Sequence, residues 1–194
     1  MALTLSKNQS ISLEKTAGTG LTSISLGLGW DPVKTGFLGK LMGGGSIDLD
    51  ASCILFDQGL QPIDVVWFRQ LASKDGSVTH SGDNLTGEGD GDDETIHVNL
   101  PNLPAAVKHL VFTVNSFTGQ NFEKVENAYC RILDQAGNKE LARFNLSEKG
   151  QHTGIVMSTL TREGSGWQFK AIGQTTRGRT VDDLVGLAAQ AVRS

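Results

Sequence analysis

The chain has 194 residues and a formal net charge of -4, from 17 Lys and Arg set against 21 Asp and Glu. That balance leaves no basic surplus for the phosphate contacts on which nucleic-acid affinity rests, and so argues against a nucleic-acid partner. A hydrophobic content of 38% over this length predicts one domain, residues 1–194, with a sizeable core.

The opening MALTLSKNQSISLEK has neither a basic n-region nor an apolar h-region, and no run approaches the ~20 apolar residues of a membrane span, so the chain reads as soluble and cytoplasmic. From Leu3 onward most of the sequence alternates at period two, the mark of strands with one buried face. LTLSK, SISLEK, LTSISLGLGW, DLDASCILF and DVVWFRQL come first. ETIHVNL, KHLVFTV, AYCRILD, ELARFNLS, GIVMSTLTRE and GWQFKAIGQ follow, punctuated by turn signals such as DQG, KDGS, AGN and EGSG. Many short strands without crossover helices predict an all-β fold, an antiparallel β-sandwich. Two segments carry a helical period. GQNFEKVEN, residues 119–127, predicts a short helix of about two turns. TVDDLVGLAAQAVRS predicts a C-terminal amphipathic helix over 180–193, with Thr180 as N-cap, Asp182 and Asp183 in the first turn, and Val181, Leu184, Val185, Ala188 and Val192 on one packing face. Cys53 and Cys130 stand in apolar strand-like runs and are expected to be buried free thiols.

The chemistry concentrates in acids. In GDNLTGEGDGDDE, Gly82 to Glu94, the carboxylates of Asp83, Glu88, Asp90, Asp92, Asp93 and Glu94 crowd among four glycines. Such a segment is either splayed in solvent or neutralised by a cation. Calcium takes six to eight oxygens in irregular geometry, and the glycines let the backbone turn and present carbonyls. An EF-hand does not fit, because Leu85 and Glu88 would occupy its third and glycine positions. In SIDLDAS, Asp48 and Asp50 fall at i and i+2, on one face of a predicted strand and ~6.6 Å apart at Cα. Asp31, in GLGWD, reads equally as a turn residue. Strand pair and loop together could build an oxygen cage, with enough acids for two calcium ions. His80, His97, His109 and His152 are scattered, without the spacing of a zinc site. Ser77 and His80 read as a turn serine and a strand histidine rather than a nucleophile and its base. GEGDG carries the wrong charge to cradle a phosphate. A carboxylate cluster holding two metals can also hydrolyse phosphoesters, so a metal-dependent enzyme acting on a phosphoester or a tellurium compound stands as the alternative.

GLGWD, DLDAS, DGSVTHSGDNLTGEGDGDDE, VFTVNSFTGQNFEKVENAYCRILD, ELARFNLS and GWQFKAIGQ, taken in order from Leu3 to Gln174, resemble the TerD family of bacterial tellurium-resistance and stress-response proteins. SIDLDASC and VWFRQL look most like its TerZ branch. The resemblance implies a β-sandwich that binds calcium through the acidic motifs and acts as a sensor or adaptor. It points to Asp48, Asp50, Asp83, Asn84, Asp90, Asp92 and Asp93 as leading ligands, with Asp31, Glu88 and Glu94 beside them. It also implies partners among TerC-type membrane proteins or other Ter proteins. The insertion KTGFLGKLMGGGS, Lys34 to Ser46, holds Phe37, Leu38, Leu41 and Met42 between glycines. Either these fold back on the sandwich, or residues 36–45 form a docking tip for peripheral contact at the inner membrane face. The tail after Gln174 departs from the short family ending.

Overall fold

A computed structural model describes residues 2–18, 20–32, 48–82, 91–116, 118–146 and 150–194. Asp83, Asn84, Glu88, Asp90 and the 34–46 insertion lie outside them. Among the described residues the alternating segments form twelve strands: β1 (Leu3–Leu5), β2 (Ser10–Ser12), β3 (Ser23–Pro32), β4 (Asp50–Phe56), β5 (Pro62–Val66), β6 (Val78–His80), β7 (Glu94–Asn99), β8 (His109–Asn115), β9 (Val125–Asp134), β10 (Lys139–Asn145), β11 (Gly154–Glu163) and β12 (Gly166–Thr176). They assemble into two six-stranded sheets, in the orders β1-β10-β9-β3-β7-β6 and β2-β12-β11-β8-β4-β5. Every pairing is antiparallel except β1 with β10. The expected antiparallel β-sandwich is therefore the fold.

Alternation decides what each sheet buries. Leu26 and Leu28 on β3, Ile96 and Val98 on β7, Cys53 and Leu55 on β4, and Leu110 and Phe112 on β8 meet between the sheets in one core. The opposite face of the second sheet carries Ile54, Phe56, Val111, Val156 and Ile172. It is covered by the C-terminal helix α2 (Val181–Arg193), after the short helix α1 (Leu13–Ala17) early in the chain. The α2 stripe packs as expected: Val181, Leu184 and Ala188 are buried, joined by Ala191. Thr180 and Asp183 form a reciprocal capping box at its start. Both cysteines are free and buried, and burial pushes the Cys130 thiol up to about 12.

Three local readings differ, the first being the strand read through DVVWFRQL, which ends at Val66 where Trp67 and Gln70 close a turn. The two-turn helix expected over 119–127 is a single 3-10 turn, Phe122–Lys124, because Val125 already enters β9 and pairs with Pro32. The strand read through SISLEK stops at Ser12, whose side chain accepts from Lys15 N–H and caps α1 instead. No described helix is long and apolar enough to cross a membrane.

Candidate metal centre

β3 ends and β7 begins at the same end of the sandwich, where Glu94 of β7 reaches the start of β4. Asp93 is fixed first. Its N–H donates to Leu28 O at 2.8 Å, and its Oδ2 accepts from Trp30 N–H at 2.8 Å. The β3–β9 register shifts between Gly29 and Asp31, so Trp30 falls outside the ladder and its N–H is available to that carboxylate. Burial raises the Asp93 carboxyl above its ordinary range; the Trp30 bond opposes this, and the charges of Asp31, Asp92 and Glu94 add to it. Asp31 is exposed and accepts from Asn127 Nδ2 at 2.8 Å.

Asp92 lies over the outer face of the first sheet. Gly27 makes this possible: a Cβ there would stand 1.9 Å from Asp92 Oδ2. The carboxylate meets Arg131 Nε at 2.8 Å and accepts from Tyr129 O–H at 3.0 Å. The network continues from Arg131 to Glu140 and from Glu140 to Arg143, whose guanidinium lies 4.2 Å over the Tyr129 ring. The Tyr129 hydroxyl is pushed up to about 12, chiefly by burial and by Asp92. Part of the acidic segment is thus neutralised from within the chain, by an arginine whose strand placement beside Gly27 only the β3–β9 register reveals.

Glu94 points inward. Its Oε2 accepts from Ala51 N–H at 2.7 Å and lies 3.3 Å from His80 Nε2, both side chains being fully buried. Gly82 N–H donates to His80 Nδ1, which leaves Nε2 as the donor side, facing Glu94 and, at 3.2 Å, Ala51 O. This clamp joins β4 of one sheet to β6 and β7 of the other. Sequence reading saw His80 only as a strand residue; two buried titratable side chains on adjacent strands needed the fold to be paired.

Asp48 and Asp50 occupy another surface. Leu49 and Ala51 face the core, so Asp50 emerges on the α2 side of the second sheet, opposite the side where Asp92 rests. Asp50 is 3% exposed, and Asp48 Oδ1 and Asp50 Oδ2 are both buried. Around them the available donors are hard oxygens: Asn115, Asp50's partner on β8, and the next pair along, Ser52 and Thr113. Among the described residues no three His, Cys, Asp or Glu side chains gather closely enough to hold a metal. Among the described residues the expected ligands divide into Asp48 and Asp50, Asp31 and Asp93 at the β3 bulge, and Asp92 and Glu94, each of the last two held by protein donors.

Fold and site together define a two-sheet β-sandwich with an acid-rich end. The chain belongs to the TerD family: residues 1–190 match the TerD domain. It is 59% identical over 184 residues to the tellurium resistance protein TerZ of Serratia marcescens, covering 94% of each chain. It is 38% identical over 196 residues to the stress response protein SCP2 of Bacillus subtilis (strain 168), covering 95% of this chain and 98% of that one. The crystal structure of a homologue of telluride resistance protein (TerD) from Streptomyces coelicolor A3(2) shares the fold, with a TM-score of 0.69 at 22% identity over 86% of this chain and 96% of that one. Membership places the protein among tellurium-resistance and stress-response proteins.

Proposed function

We propose that the protein is a calcium-binding sensor or adaptor in the tellurite and stress response, docking to a membrane-associated complex. The observation that carries this reading is the burial of Asp48 and Asp50 carboxylate oxygens beside other hard oxygens at the start of β4. Such a donor set suits a hard cation and excludes soft-metal preference. The family resemblance adds Asp83, Asn84 and Asp90 from the acidic loop. Asp92 and Glu94, at the C-terminal end of the acidic segment, also meet Arg131 and His80 within the chain. Bound calcium would supply positive charge to a concentration of carboxylates that otherwise oppose one another. The chain would then present an ordered end to a TerC-type membrane protein or another Ter protein at the inner membrane face. The relatives are named as resistance and stress proteins, which supports a binding role over turnover.

Calorimetric titration and melting curves test it. Calcium should bind and raise Tm, by ~2.7 kcal/mol of stabilisation at a hundredfold excess over Kd. Magnesium should do less, because it sheds water reluctantly. Asp50→Asn should weaken calcium binding at least tenfold. An unchanged melting curve across millimolar calcium overturns the reading.

A further inference from the structure

Asp50, Asn115, Gly154 and Thr176 form one row across the ends of β4, β8, β11 and β12. The chain leaving β12 turns back over this row before entering α2. Thr153 Oγ1 donates to Gly178 O at 2.9 Å, and a Cβ on Gly154 would stand 2.9 Å from that same carbonyl. Asn115 lies under this turn, 2% exposed, and its Nδ2 donates to Arg179 O at 2.9 Å. That bond fixes the amide: the nitrogen faces the tail, and Oδ1 is the other branch. Asn115 Oδ1 is buried, and no donor among the described residues reaches it. The hydroxyl oxygens of Ser52 and Thr113, one pair further along, share that condition, as do Gln120 Oε1 and Asn121 Oδ1 in the turn after β8. In that turn a Cβ on Gly119 would lie 3.0 Å from the Arg179 guanidinium, so tail and turn are in contact.

A buried carbonyl oxygen without a donor is costly, and native structures repay it with a partner, a water or an ion. A buried amide oxygen paired across the ladder with a carboxylate, with two hydroxyl oxygens one pair along, is a set of hard oxygens that fits a cation. We propose that Asn115 Oδ1 is a neutral ligand of the cation that Asp48 and Asp50 attract, and that residues 177–181 roof this site, so that cation binding and docking of α2 are linked. Calcium commonly takes amide oxygens beside carboxylates. The two arginines of the roof, Arg177 and Arg179, are followed at once by Asp182 and Asp183 in the first turn of α2, so this stretch as a whole is neutral. Because Asn115 holds the roof by its nitrogen and the ion by its oxygen, ordering one end orders the other. The consequence is regulatory, since α2 covers the apolar strip of Ile54, Phe56, Val111, Val156 and Ile172. Loss of the ion would loosen that cover.

This rests on the calcium reading, and the test separates the two. Calcium affinity is measured by calorimetry, and local hydrogen exchange of the α2 amides is followed on the full chain in calcium and in chelator. Calcium should slow local exchange in α2 about tenfold, with amides of β9 and β10 in the other sheet much less affected. Asn115→Ala should weaken calcium binding about tenfold and remove the calcium effect on α2, as reciprocal coupling requires. If wild type binds calcium while α2 exchange ignores it, or if Asn115→Ala binds as tightly, the buried oxygens hold water and the inference falls alone. If wild type binds no calcium, the reading beneath it falls too. Should Asn115→Ala fail to fold, the wild-type exchange comparison decides.

Discussion

Gly27 sets where an acidic side chain can rest. Because β3 carries glycine in place of an outward side chain there, Asp92 can lie flat and reach Arg131 and Tyr129. Gly27→Ala should displace Asp92 and cost about 1–2 kcal/mol in denaturant unfolding, the lost partly exposed pair contributing about 1 kcal/mol of it. In an Arg131→Ala background the same substitution should cost less, since its target contact is already gone. Equal costs in both backgrounds would mean that Asp92 is not held by Arg131. SLGLGW showed the glycines, and NAYCRILD showed Tyr129 and Arg131 at alternate positions. What the sequence did not show was that the two runs are neighbours in register, Gly27 opposite Arg131 and Gly29 opposite Tyr129.

α2 was legible from periodicity and capping, because both act within a few residues. Its cap also titrates. The N–H groups of Arg179 and Thr180 hold the Asp183 carboxyl below its ordinary 3.8. A carboxyl depressed in the folded state contributes stability that is present above 3.8 and lost as pH falls through the folded value. Asp183→Ala should therefore fray the first turn of α2 at pH 7, by about 0.5 kcal/mol at this exposed position. The gap to wild type, read by exchange of the α2 amides, should close as pH drops below 3.8. A gap that persists unchanged in acid would assign the effect to helix propensity instead. The 119–127 segment shows the converse: its helical period is real, but pairing of Val125 with Pro32 on β3 outweighs two turns of local propensity.

Across the whole molecule, the first twelve residues fasten both sheets. β1 closes the edge of one against β10, and β2 closes the edge of the other against β12. Between them Asn8 N–H donates to Ala171 O and Ala171 N–H to Gln9 O. Leu5 enters the shared core from this staple. Leu5→Ala should cost about 2–3 kcal/mol, lowering Tm by roughly 5–10 °C in a chain of this size. A shift of a degree or less would show that the staple is peripheral to the cooperative unit.

The sequence by itself determined the β-sandwich class, most strand positions, the C-terminal helix with its cap and the acid-rich character of the site. These follow from alternation, capping and turn chemistry, all of which act over a few residues. Only the tertiary structure decided which acids stand together. Asp50 and Asp92 lie on opposite faces of the sandwich; Glu94 turns inward to His80, and Asn115 comes beside Asp50 from a strand more than sixty residues away in the chain. Strand order and register fix those juxtapositions, and both are set by burial of the common core between the sheets rather than by any local preference at the site.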